Sequence, residues 1–181
     1  KSKVCEKALT FIHTMPDQFK NTMTLQDAMK ITGPRSFNLM LKPAGSLCNL
    51  DCHYCYYLDK TAIYGGREPR MNEEMLETVI RDYISANDVS EVQFNWHGGE
   101  PTILGLDFYR KAIELEKKYA GEKIIHNTLQ TNATLLNREW ARFFRENDFL
   151  IGVSIDGPKD IHDKYRKDKG GQPSFDRVMR G

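Results

Sequence analysis

Cys48, Cys52 and Cys55 form a C-x3-C-x2-C run, whereas the fourth cysteine, Cys5, lies far upstream. A disulfide framework favours dispersed, evenly paired cysteines; a tight trio favours a metal or an iron–sulfur cluster. A [4Fe–4S] cubane is usually held by four thiolates. Three leave one iron open, and an open metal position marks a catalytic rather than a structural site. A ligand offering an amine and a carboxylate suits such an iron. The rival reading is a zinc site completed by Cys5 or His53, because Cys-x2-Cys spacing also occurs in zinc sites. Against it, the paired Cys-x2-Cys knuckles of many zinc sites are absent.

Other candidates sit at the ends of predicted strands. Gly98-Gly99-Glu100 follows the alternating stretch Glu91–His97. Glycine there lets backbone approach a ligand closely, although a glycine pair alone marks only a turn. Gln130 and Asn132 close another strand and are placed to line a pocket. Ser154 and Asp156 end the apolar run Phe149–Ile155, and Asp-Gly-Pro is equally good turn chemistry. Arg166 lies in the charged run Lys164–Lys169, which reads mostly as a solvated face. His97 is placed at the mouth of the pocket; His53 and His126 need no function.

The positioning elements follow from hydrophobic period. Phe37–Pro43 alternates and stops at proline: a strand. Met71–Ser85 has the helical period, with Asn72 as its cap and Glu73 and Glu74 in the first turn. Glu91–His97 is a second strand and Leu106–Tyr119 a second helix, with Gly121 as its stop. Lys123–Thr131 is a third strand and Asn137–Asn147 a third helix, capped by Asn137. Phe149–Ile155 reads as a buried parallel strand, and Ser174–Arg180 starts another helix. Alternating strands and helices imply right-handed βαβ units and a parallel sheet. The expected fold is α/β: part of a (β/α) TIM-like barrel with outer helices, since a whole barrel needs more chain than this. Such a partial barrel leaves sheet edges open, an aggregation hazard. Residues 1–35 read as a helical or partly ordered extension, with short helices over Val4–Met15 and Leu25–Ile31. Residues 36–181 carry the domain.

The 181 residues hold 26 Lys and Arg against 25 Asp and Glu, a net charge of +1. That balance suggests neither a nucleic-acid nor a membrane partner. No apolar run approaches the ~20 residues that span a bilayer, and residues 1–10 lack the apolar stretch of a secretory signal. The expected location is the cytoplasm.

The cysteine run, with an aromatic at Tyr54 before its last member, resembles the signature of the radical S-adenosylmethionine (SAM) superfamily. Lys42-Pro43, Cys55-Tyr56-Tyr57, His97–Thr102, Leu129–Asn132 and Val153–Pro158, with His162 and Arg166, resemble the anaerobic sulfatase-maturating enzymes. The resemblance runs from about Phe37 to the C-terminus. It implies a [4Fe–4S] cluster on Cys48, Cys52 and Cys55, with the SAM amino and carboxylate groups on the open iron. It also implies a 5′-deoxyadenosyl radical that oxidises a Cys or Ser of a sulfatase to Cα-formylglycine. By resemblance, Tyr54 packs near the adenine, Gly98, Gly99 and Glu100 serve the SAM amino group, Ser154 binds SAM, and Arg166 takes the carboxylate. Asp156 supports the site. A sulfatase polypeptide is the implied substrate, and flavodoxin or ferredoxin the implied kind of electron donor. The family's auxiliary-cluster domain and proton-accepting aspartate would lie beyond Gly181, so this stretch alone is expected to be inactive. Another radical SAM peptide-modifying enzyme, or a non-catalytic metal-binding module, remains the alternative.

Overall fold

A computed structural model describes residues 36–65 and 69–181. The helices expected over Val4–Met15 and Leu25–Ile31, and Cys5, lie outside the described residues. Four strands, β1 (Leu39–Leu41), β2 (Glu91–Trp96), β3 (Ile124–Thr131) and β4 (Leu150–Val153), form one sheet in the order β1-β2-β3-β4. Every pairing is parallel. Helices α1 (Glu73–Ala86), α2 (Leu106–Tyr119) and α3 (Arg138–Glu146) connect consecutive strands. Short α4 (Lys159–Tyr165) and α5 (Phe175–Arg180) follow β4. Two 3-10 turns, Leu58–Tyr64 and Pro101–Leu104, sit in the loops after β1 and β2.

The caps behave as their side chains dictate. Asn72 accepts from Met75 N at 2.8 Å, and Asn137 accepts from Glu139 N and Trp140 N, each satisfying amides that the first helical turn leaves unpaired. Gly121, with φ of 59°, takes the left-handed position just after α2.

Alternation along the strands sorts the two faces of the sheet. Val92, Phe94 and Trp96 of β2 and Leu129 of β3 pack in one core with Leu76, Ile80, Tyr109 and Trp140 from the helices. The opposite face is polar: Thr128 Oγ1 and Gln93 Nε2 both donate to Asn95 Oδ1, at 2.9 and 2.6 Å. The sheet therefore has one apolar and one polar side, and apolar residues are not needed on both. β1 is shorter than the stretch that reads as a strand, because the chain turns at once beyond it, with Gly45 N donating to Lys42 O. β4 departs from the expected buried strand: Leu150 is 70 % exposed and Val153 is exposed as well. It pairs only with β3, and no layer of the described residues covers that side. Among the described residues no helix is long and apolar enough to cross a membrane.

One polar group interrupts the core. Asn127 accepts from Trp96 Nε1 at 2.7 Å and donates to Glu116 Oε2 at 2.8 Å. Glu116 is buried, and its Oε1 has no hydrogen-bond partner among the described residues. Burial pushes its carboxyl up to about 8, against weaker help to the charged form from Asn127 and Lys117. The folded protein thus holds a proton that an unfolded chain releases near its ordinary value of 4.5. Stability should fall as pH rises from about 4.5 to about 8, at about 1.4 kcal/mol per pH unit at most. Urea unfolding of Glu116→Gln over that range checks this: the substitution should flatten the slope, and an unchanged slope would place the proton elsewhere.

Candidate active site

The site is built from the loops at the carboxyl ends of the four strands, where parallel sheets gather function. After β1 the chain turns at 42–47, stabilised by Gly45 N to Lys42 O and Leu47 N to Ala44 O, both 2.9 Å. The loop after β2 lies directly on this turn: Gly99 N donates to Gly45 O at 2.9 Å and Glu100 N to Leu47 O at 2.8 Å. A Cβ at Gly99 would stand 2.1 Å from Leu47 O, and one at Gly98, where φ is 117°, 2.8 Å from Gly45 O. Both positions therefore need glycine to hold the two loops together.

Glu100, which sequence reasoning placed at the cofactor, is fully buried and does not line the cavity. Its Oε1 accepts from Thr102 N, Thr102 Oγ1 and Thr131 Oγ1 at 3.1, 2.5 and 2.7 Å. Its Oε2 accepts from Asn132 N at 2.7 Å. It braces loops rather than facing a ligand.

The cysteine loop is held by its own buried Leu50 and by a strap from far along the chain. Leu50 bridges Asp168 in antiparallel fashion, Asp51 N donates to Lys167 O at 2.7 Å, and His53 N to Tyr165 O at 2.9 Å. Part of the charged run 164–169 is thus a wall of the site, not a solvated face. Its lysines point outward, while Tyr165, Arg166 and Asp168 are half-buried.

Cys48, Cys52 and Cys55 carry free thiols and share the wall of a cavity of about 290 Å³. Tyr54, Gly98, Gly99, Ser154 and Arg166 line the same cavity, as do His97, Gln130 and Asn132. Leu50, Tyr56, Tyr57 and Thr131 line it too. The sequence analysis gives these four no place in the pocket, although Tyr56, Tyr57 and Thr131 stand in the blocks that carry the family resemblance. Burial pushes the Cys48 thiol up to about 11, and raises Cys52 as well despite the neighbouring Arg166. Any metal taken here must expel those protons. Among the described residues no three His, Cys, Asp or Glu converge on a single metal ion, and His53 is exposed. A cubane asks for a different arrangement, one thiolate on each of three irons, which three cysteines spread along one loop can supply.

Asp156 joins two of the predicted residues. Tyr54 Oη donates to Asp156 Oδ2 at 2.5 Å, and Arg166 Nε lies 2.9 Å from Asp156 Oδ1, an ion pair not aligned as a hydrogen bond. The guanidinium also sits 5.5 Å from the Tyr54 ring centroid. Burial alone would raise the Asp156 carboxyl, but Tyr54 and Arg166 outweigh it and hold the group below its usual range. A second chain of bonds fixes this pair from behind. Asp156 N donates to His162 Nδ1 at 3.4 Å, so Nε2 carries the proton and faces Ser174 Oγ at 3.0 Å. Ser174 Oγ in turn donates to Arg166 O at 2.6 Å. His162 is fully buried. Across the cavity, Gln130 Nε2 donates to Ser154 Oγ at 2.8 Å.

A family model described as the Radical SAM superfamily matches residues 43–181. A serine-type anaerobic sulfatase-maturating enzyme of Bacteroides thetaiotaomicron is 53 % identical over 144 residues, covering 79 % of this chain and 35 % of that protein. A cysteine-type enzyme of Clostridium novyi is 43 % identical over 150 residues, covering 80 % and 39 %. Among solved structures, native anSMEcpe with bound AdoMet and Cp18Cys peptide is 41 % identical with a TM-score of 0.71, over 79 % of this chain and 38 % of that one. The chain spans a little over a third of the length of these relatives.

Replacing Glu100 by Gln tests the brace. One amide hydrogen of the new side chain must face a donor, which costs about 1–3 kcal/mol of stability. Chemical unfolding should show that loss, and a neutral result would mean that the four bonds are not held in the folded state.

Proposed function

The chain belongs to the radical SAM superfamily, and on that premise we propose that Cys48, Cys52 and Cys55 hold a [4Fe–4S] cluster in an anaerobic sulfatase-maturating enzyme. The four parallel strands and their outer helices are part of the TIM-like barrel of that superfamily. We take residues 36–181 as the N-terminal part of the radical SAM domain. One observation carries the reading: three thiols on a single loop share a cavity with Tyr54, Gly98, Ser154 and Arg166. When bound, the cluster would supply the electron that cleaves SAM, and SAM the 5′-deoxyadenosyl radical that takes a hydrogen atom from a sulfatase Cys or Ser; loss of a second electron, to an acceptor such as the family's auxiliary clusters, would complete the oxidation to Cα-formylglycine.

The chain's own residues bind and orient. Arg166 is a planar fork whose Nε is committed to Asp156, leaving its terminal nitrogens for the SAM carboxylate. Tyr54, fixed by its bond to Asp156, offers a ring face beside the adenine. Gly99 N is already used within the protein, so what it offers the SAM amino group is its carbonyl oxygen, an acceptor for a donor. Ser154 Oγ accepts from Gln130, which leaves its hydroxyl hydrogen to donate to the cofactor. Glu100 acts at one remove, by holding these loops in place. The substrate is a sulfatase polypeptide, the electron comes from a flavodoxin or ferredoxin, and the reaction takes place in the cytoplasm.

Anaerobic reconstitution tests the assignment. The 181-residue stretch should take up about four iron and about four sulfide, and its combined Cys48→Ala, Cys52→Ala and Cys55→Ala variant should take up almost none. With dithionite the loaded full-length enzyme should cleave SAM and convert a sulfatase-derived Cys or Ser peptide to the aldehyde. Zinc in place of iron, or iron retained without the three cysteines, would sink the assignment.

A further inference from the structure

We propose that Asn132 tunes the cluster: its side-chain amide donates to Cys48 Sγ and, with Leu50 N, raises the reduction potential of the iron site held there. The inference rests on the cluster reading above. Asn132 Nδ2 lies 3.8 Å from Cys48 Sγ, and Leu50 N lies 3.4 Å from it.

The orientation of the Asn132 amide is fixed by its neighbours. Thr134 N and Thr134 Oγ1 both donate to Asn132 Oδ1, at 3.0 and 2.7 Å. A backbone N–H can only donate, so the atom facing it is the oxygen and the NH₂ end faces Cys48. One amide hydrogen is spent on Asn49 Oδ1 at 2.9 Å, which leaves the other for the sulfur. Asn49 Nδ2 closes the ring by donating to Thr134 Oγ1 at 2.8 Å. From the backbone side, Asn132 N is anchored on Glu100 Oε2. Asn132 is buried and pinned at both ends, so its donor is in place before any cluster arrives.

Reduction adds one electron to the cluster, and hydrogen bonds to the ligand sulfurs are among the terms that set the potential. Donors stabilise the added negative charge, so two of them on one thiolate favour the reduced form. The Asn132 amide therefore acts on the electron-accepting step rather than on SAM binding.

The test is an EPR-monitored dithionite titration of the anaerobically loaded holoenzyme, following the cluster whose spectrum responds to SAM. Asn132→Leu keeps the approximate volume and removes the donor; Asn132→Asp keeps the shape and replaces the donor with a carboxylate. Both should shift the midpoint to more negative values. Thr134→Val leaves Thr134 N on Asn132 Oδ1 and should leave the midpoint where it is. Iron and sulfide content, measured on every variant, separates the outcomes. An intact cluster with an unmoved midpoint in the Asn132 variants overturns the inference and leaves the cluster reading standing. A Thr134→Val midpoint that moves as far as that of Asn132→Leu also overturns it, because general loosening would then explain both. A parent that takes up no cluster brings down the reading and the inference together. Should Asn132→Leu fail to load, the midpoint of the isosteric Asn132→Asp decides between these outcomes.

Discussion

A buried carboxylate with no partners is among the most costly features that a fold can carry. Glu100 sits between three loops with no exposure to solvent, and the structure meets that cost with four donors. They come from the loop after β2, through Thr102, and from the end of β3, through Thr131 and Asn132. Glu100 N reaches the loop after β1 at Leu47 O. One residue therefore fixes the relative positions of the segments that carry Cys48, the glycine pair and Asn132. Each bond is ordinary in strength; together they allow little play, since moving any loop strands a charged or polar group away from water.

Across the cavity the same logic uses an ion pair. Asp156 is shared by Tyr54 from the cysteine loop and Arg166 from the segment after α4. His162 and Ser174 connect the two ends of that pair through buried hydrogen bonds. The cysteines thus adjoin two polar assemblies: Asn132, anchored on Glu100, reaches Cys48, and the charges of Arg166 and Asp156 act on Cys52. The Cys48 thiol is left with burial that disfavours its charge and with an amide donor, Leu50 N, that favours it. That balance suits ligands whose charge is to be neutralised by metal.

Much of this was legible in the residues. The helical and strand periods located the three connecting helices and the four strands, and Asn72 and Asn137 cap as their positions require. All the residues expected to touch cluster or cofactor, except Glu100, line one cavity. The differences have physical causes. Glu100 adjoins the glycine pair in sequence, but its donors Thr131 and Asn132 lie 31 and 32 residues away, a relation no local pattern carries. Helix α4 is one short stretch of seven residues begun by Pro158, too brief to show an apolar stripe. The run from Lys164 reads as surface because its lysines are surface; the residues between them turn inward. β4 is apolar throughout, which sequence reasoning equates with burial, yet its pairing leaves one side open.

The strap that closes the cysteine loop has a consequence for the order of events during synthesis. Tyr54 and its partner Asp156 are 102 residues apart, and the backbone bonds to Lys167 and Tyr165 come later still. The thiols emerge from the ribosome well before the wall that encloses them exists. At ordinary elongation of about 5–20 residues per second, they stay open to the cell's iron, oxidants and other thiols for roughly five to twenty seconds. The loop of the three cysteines thus stays without its wall until the segment from Tyr165 to Asp168 pairs with it at Leu50, Asp51 and His53.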